Sequence, residues 1–271
     1  MPLALPASLN NKGMSPRTIR IAQCSTVLLL AVALKLYYST TNVNGLRWIL
    51  APPTFLVELI TGASFTFESN AGYMSSDHTF LIAASCSGVN FLIAAFLMLS
   101  LGKLWRCHGQ NINWRYFAAA ALIAYLTTVV ANTVRISTAL LLRRSNPEMI
   151  WINPDQLHRF EGIFIYFGFL LLLFILSDRL GADDRSRSKS ASVWRYLLPL
   201  TIYYATTLAI PLANAAVLSG TVAAGFWAHS LTVFLIPMFL ILPVAVLQYF
   251  KTTGAVSVSL ASVRQDANLR N

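Results

Sequence analysis

Charge is what this sequence has least of. Of its 271 residues only 11% are Asp, Glu, Lys or Arg, against 56% hydrophobic, and just 10 are acidic. A water-soluble domain carries roughly a quarter charged residues, so the shortage excludes an ordinary soluble chain and makes lipid the expected solvent. The mean hydropathy of +0.61 agrees. Cysteine is also scarce: Cys24, Cys86 and Cys107 are too few and too scattered for a disulfide framework or a zinc cluster. His78 and His229 stand at span ends with Cys86 and Glu161, but no H-x-x-x-H pair exists, so neither metal nor cofactor is expected. The N-terminus lacks a compact apolar segment followed by a small-residue cleavage site, which predicts that the first apolar run is a retained membrane span. A net charge of +10 would suggest nucleic acid in a soluble protein. Here the basic residues sit in short loops between apolar runs, where they set topology, and no nucleic-acid partner is expected.

What is present is a series of apolar runs, at 18–39, 47–62, 79–101, 116–142, 160–177, 193–218 and 227–250. All but 47–62 approach or exceed the length that crosses a bilayer. Placing the N-terminus, the 102–115 and 178–195 loops and the C-terminal tail in the cytoplasm puts 14 of the 20 Lys and Arg residues there. With that orientation the 47–62 run cannot cross, and its Pro52, Pro53 and Glu58 suit a re-entrant or interfacial segment. The expected fold is therefore all-α: a polytopic transmembrane helix bundle of six full spans plus one short partial segment. The alternative is seven spans. Residues 1–178 form the membrane domain, with a core over 79–177. A polar cytoplasmic connector follows at 179–192, then two further helices over 193–250 and a cytoplasmic tail at 251–271.

Ionisable groups inside a span are costly and mark function or structural anchoring. Arg135 is one, and Asn132, Thr128 and Tyr125 join it in a polar stripe at helical spacing. Cys86 falls in the run from Thr79, flanked by Ser85, Ser87 and Gly88, and Asn90 is expected one turn away on the same helical face. A lone cysteine in an apolar helix is more often a small hydrophobe. His158 opens the next span, and Glu161, one turn on, is placed to orient its ring or pair with Arg135. The topology brings Cys86, Arg135 and His158 from three consecutive spans to similar depth at the outer face, a coincidence that outweighs the separate structural readings. Glu58 and Glu68, near the same face, are candidates to read substrate or brace Arg135. Cys24 and Cys107, on the cytoplasmic side, are expected to be inert.

A thiol attacks as thiolate, an imidazole can take and return its proton, and a permanently cationic guanidinium can stabilise the oxyanion that forms. Acyl transfer through a thioester is the reaction class these types suggest. The rival is a transporter or channel subunit in which Arg135 binds an anion, but the polar residues cluster at one face and form no path across the bilayer.

Ser85-Cys86-Ser87-Gly88, Asn132-Thr133-Val134-Arg135-Ile136 and His158-Arg159-Phe160-Glu161-Gly162 resemble, in order and spacing, the three signature blocks of the exosortase/archaeosortase family. The wider pattern of Thr61-Gly62, Phe65, Glu68, Gly72-Tyr73 and Cys86-Ser87-Gly88-Val89-Asn90-Phe91 looks most like the exosortase K subgroup, and the resemblance covers about residues 45–180. It implies a multi-pass cysteine protease or transpeptidase of the bacterial plasma (inner) membrane, acting at the outer face. Its partners would be lipid and exported proteins whose C-terminal signal combines a short motif, a transmembrane helix and a basic cluster. Carried over, Cys86 is the nucleophile, Arg135 the stabiliser and His158 the proton carrier, with Asn90, Asn132, Glu161 and Glu68 as supporting residues.

Overall fold

The computed structural model describes residues 15–107, 112–144, 154–180, 197–209, 230–243 and 246, with the side chains of all of these except 144, 154–159 and 209. Helix α1, Pro16–Thr40, starts where the Ser15 hydroxyl accepts the Thr18 N–H and Pro16 takes the first helical turn. Its buried residues, Gln23, Val27 and Ala31, are four apart, whereas Leu28, Leu29, Leu30 and Val32 are exposed. An apolar face turned outward over this length suits a lipid surround and little else.

A 3-10 turn, Val43–Leu46, leads into α2, Arg47–Thr61. The short run that the sequence suggested as broken backbone is one helix of 15 residues with Pro52 and Pro53 inside it. At about 1.5 Å per residue it spans roughly 22 Å, less than a hydrocarbon core of about 30 Å. Pro52 lacks the N–H that would bond the Trp48 carbonyl four residues back. The Tyr125 hydroxyl supplies the missing donor, reaching the Trp48 carbonyl oxygen at 2.9 Å while the two rings stack 5.9 Å apart. Tyr125→Phe should therefore lower stability in detergent by about 1–2 kcal/mol, the usual cost of an orphaned carbonyl. Pro52→Ala should restore a donor, so the double variant should recover most of the loss. Thermal unfolding of the four proteins in a double-mutant cycle measures this coupling.

Between α2 and the next helix the all-α expectation needs one correction. Strands β1 (Phe65–Glu68), β2 (Gly72–Ser75) and β3 (Leu81–Ile82) form an antiparallel sheet in the order β1-β2-β3. It is held along α2: the Glu58 carboxylate accepts the Phe65 N–H at 2.7 Å, and the Arg47 guanidinium lies 4.4 Å from the centre of the Phe67 ring. The next correction concerns the run from Thr79. Its first residues are loop and β3, then a 3-10 turn, Ala84–Ser87, and only at Val89 does α3 (Val89–Arg106) begin. Cys86 thus sits in the turn ahead of the helix.

Helix α4, Trp114–Arg144, packs against α2, α3 and α5, Pro154–Leu180. Ala120, Ala124, Thr128 and Asn132, four apart and each at most 2% exposed, form the stripe that lets neighbouring backbones approach. Helix α6, Leu197–Tyr204, runs into a π-helical turn, Ala205–Ala209, and α7 covers Ser230–Pro243. Among the described residues four stretches are long and apolar enough to cross a membrane: Pro16–Thr40, Ala84–Arg106, Trp114–Arg143 and Phe160–Leu180. The described parts of the last two expected spans, Leu197–Leu208 and Ser230–Pro243, are shorter. Most of the 179–192 connector, the 251–271 tail and His229 lie outside the described residues.

Polar groups collect at the two ends of the bundle. At one end Arg106 pairs with Asp178 at 3.2 Å, and Gln23 donates to the Ile112 carbonyl at 2.7 Å. The other end, where α4 leaves and α5 enters, holds the candidate site.

Candidate active site

Three local features place Cys86. The 3-10 turn is closed by the Cys86 N–H on the Ala83 carbonyl at 2.9 Å. Asn132, fully buried on α4, donates from Nδ2 to the Cys86 carbonyl at 2.6 Å. Gly88 then turns the chain into α3 at φ +71°, in the left-handed region, and a Cβ there would lie 3.2 Å from Thr128 Cγ2 and 3.4 Å from Tyr166 Oη. The turn and α4 therefore meet through a backbone that only glycine fits. Because Gly88 resets the helical register, Asn90 does not share a helix face with Cys86. Instead it is the second residue of α3 and accepts a 2.7 Å hydrogen bond from Lys35 Nζ of α1.

Arg135 is reached through Asn132. The Tyr166 hydroxyl of α5 donates to Asn132 Oδ1 at 2.9 Å, and Arg135 Nη1 donates to the same hydroxyl at 3.1 Å. The guanidinium lies 5.3 Å from the centre of the Tyr166 ring, whose other stacking partner is Phe91, 5.1 Å away. Gly162 makes room for it: a Cβ there would stand 3.1 Å from Arg135 Nε. The Cys86 thiol, free of any disulfide, and the buried Glu161 carboxylate are both close enough to act electrostatically on Arg135. Backbone carbonyl, amide, phenol and guanidinium thus form one chain from Cys86 to Arg135, with Glu161 beside its far end.

The structure brings Cys86, Asn132, Arg135 and Glu161 together, and leaves Glu68 apart. Glu68 is exposed at the end of β1, where its carbonyl accepts the Ala71 N–H, while Glu58 is occupied at the start of the same strand. His78 is exposed in the neighbouring loop. Beside it Asp77 accepts from the Ser75 hydroxyl at 2.6 Å and the Thr79 N–H at 3.2 Å. Those bonds, the Ser75 one foremost, hold its carboxyl down at about 2, so the loop carries its charge throughout the physiological range. His158 is on α5, four residues before Gly162 and so on the same helical face one turn nearer the N-terminus; its side chain lies outside the described residues.

Two members of the site were not singled out from sequence. Tyr166 is the hub, and the one signal that could have found it is its place four residues after Gly162 and eight after His158 along α5. Lys35 is the other, a basic residue inside the 18–39 apolar run. The Ser87 hydroxyl is a further feature, 1% exposed and with no hydrogen-bond partner among the described residues.

A cavity of about 410 Å³ opens beside this network, bounded by Tyr38, Ser85, Ser87, Asn90, Arg135 and Tyr166. Along α3 it reaches no further than Ala94, and along α5 it runs from Gly162 to Tyr166. Among the described residues its lining stays at one end of the bundle. No group of three or more His, Cys, Asp or Glu suited to a metal occurs among the described residues.

Searches among curated proteins and solved structures returned no match. Residues 17–175, more than half of the chain, match the family described as transmembrane exosortase. The chain belongs to the transmembrane exosortase family, and the network joining Cys86 to Arg135 lies within the matched region.

Proposed function

We propose that this chain is a membrane-embedded cysteine protease or transpeptidase that removes a C-terminal sorting signal from exported, membrane-anchored proteins. The Cys86 thiolate attacks the scissile carbonyl, the C–N bond breaks, and a thioacyl link to Cys86 holds the new C-terminus. His158 takes the thiol proton and returns it to the leaving amine. Arg135 stabilises the oxyanion, and the unpartnered Ser87 hydroxyl is a second donor beside the nucleophile. Water or an amine on an acceptor molecule then attacks the thioester and releases the thiol.

The observation that supports this reading is the hydrogen-bonded chain from the Cys86 backbone carbonyl through Asn132 and Tyr166 to Arg135, in a member of the transmembrane exosortase family. In a medium where an unpaired charge costs several kcal/mol, such pre-positioning favours catalysis over a chance contact. The transporter reading is not favoured, since the cavity stays at one end of the bundle. The site faces outward from a bacterial plasma membrane, six helices cross it and α2 lies at its surface, an arrangement that the distribution of Lys and Arg supports. Residues 1–178 carry the chemistry, and the pattern from Thr61 to Phe91 favours the K subgroup.

Cells carrying the parent protein, Cys86→Ala, Arg135→Ala or His158→Ala should be compared for the C-termini of their membrane proteins. At least one protein should keep its C-terminal helix in all three variants. Normal processing of every protein in Cys86→Ala cells would sink the reading.

A further inference from the structure

One wall of the cavity comes from a part of the chain beyond residue 175, where the family match ends. Tyr203, Thr206 and Thr207 of α6 and its π-turn, and Val233 of α7, line the same cavity as Arg135 and as Ser85 and Ser87, the two neighbours of Cys86. These residues are firmly seated. The Tyr203 ring meets the Phe167 ring edge-on at 5.2 Å, next to Tyr166 on α5. The Tyr204 ring stacks on Phe234 at 5.3 Å, and its hydroxyl donates to the Phe234 carbonyl at 2.7 Å, which locks α6 to α7. The π-turn then widens the helix where it meets the cavity, a distortion that recurs at functional sites.

The chemistry of the wall is equally specific. Thr206 Oγ1 donates to the Ile202 carbonyl at 2.9 Å and Thr207 Oγ1 to the Tyr203 carbonyl at 2.6 Å. Both hydroxyl protons are thereby spent on the helix itself. Val233 is 1% exposed and apolar, and among the described residues that line this wall only Tyr203 carries an ionisable group. Arg135 is the charged residue among those that line the cavity, and the α6–α7 wall offers methyl groups and ring edges.

We infer that the α6–α7 wall is the specificity-determining surface of this enzyme, seating an uncharged, compact side chain of the protein substrate next to the scissile bond. The inference rests on the reading of Cys86 as nucleophile and adds to it the substrate class. Thr207 and Val233 set the size accepted.

The test uses the full chain with Cys24→Ala and Cys107→Ala, so that Cys86 is the sole thiol. Methyl and benzyl methanethiosulfonate are the probes: the Cys86 thiolate attacks the reagent sulfur, a disulfide forms and methanesulfinate leaves. Val233→Trp should slow the benzyl reagent about tenfold while leaving the methyl reagent within about twofold, the scale on which apolar pockets discriminate. Thr207→Ala with Val233→Ala should raise the benzyl-to-methyl ratio by a similar factor. The methyl rate reports an intact site in each variant, and the paired alanine change only removes bulk. A benzyl-to-methyl ratio that stays constant in both variants overturns the inference. If Cys86→Ala cells process every protein normally, the nucleophile reading fails and the inference with it. If those cells stop processing and the ratio does not move, the inference alone fails.

Discussion

Cys86→Ala should lower the processing rate of the purified enzyme by about 10⁴-fold or more, the range seen when a covalent nucleophile is removed. Cys86→Ser should be nearly as poor, because a serine hydroxyl is far less acidic than a thiol and a much weaker nucleophile in a site shaped around sulfur. Neither change should unfold the protein. Cys86 is only partly buried and contributes its backbone carbonyl, not its side chain, to the bond from Asn132. Thermal unfolding should therefore stay within about 1 kcal/mol of the parent. Loss of rate with retained stability separates a nucleophile from a packing residue, the more frequent role of a lone cysteine in apolar surroundings.

Arg135→Lys should lower kcat by about 10²- to 10³-fold with little change in KM. A lysine keeps the charge, yet it cannot lie flat against the Tyr166 ring, donate to the Tyr166 hydroxyl and fill the space opposite Gly162 with one planar group. The expected size is that of removing one preorganised oxyanion donor. Tyr166→Phe should reproduce part of the effect, about tenfold, because it keeps the stack on Phe91 and removes the hydroxyl shared by Asn132 and Arg135. If Arg135→Lys keeps full kcat and changes KM alone, the guanidinium binds substrate and does not stabilise the transition state.

The helices of the bundle were legible in the sequence because lipid leaves an apolar run of membrane length few other structures to adopt. That same signal misread the stretch from Thr79. Phe80, Leu81 and Ile82 are apolar as a strand, Val89 onward is apolar as a helix, and hydropathy does not distinguish short buried strands from helices. The hairpin itself left a trace, since Phe65-Thr66-Phe67-Glu68 alternates and Gly72 opens the return strand, but both strands are only four residues long. Pro52 and Pro53 argued for a break in 47–62, and what keeps α2 whole is a hydroxyl from Tyr125, a partner 77 residues away that local pattern does not reveal. Arg135, Asn132, Cys86 and Glu161 were readable as polar residues where polarity is costly. Tyr166 was not, because a tyrosine among phenylalanines in an apolar helix resembles filler until its hydroxyl is seen between Asn132 and Arg135.

The claim on which all of this depends is that the Cys86 sulfur carries the acyl group. The direct measurement is mass spectrometry of the Cys86-containing peptide after brief reaction with a processed membrane protein and acid quench. The account predicts an added mass equal to the new C-terminal peptide, attached at Cys86 and released by neutral hydroxylamine as a hydroxamate. An adduct on a different residue, or processing that proceeds at full rate with Cys86 never acylated, would contradict it.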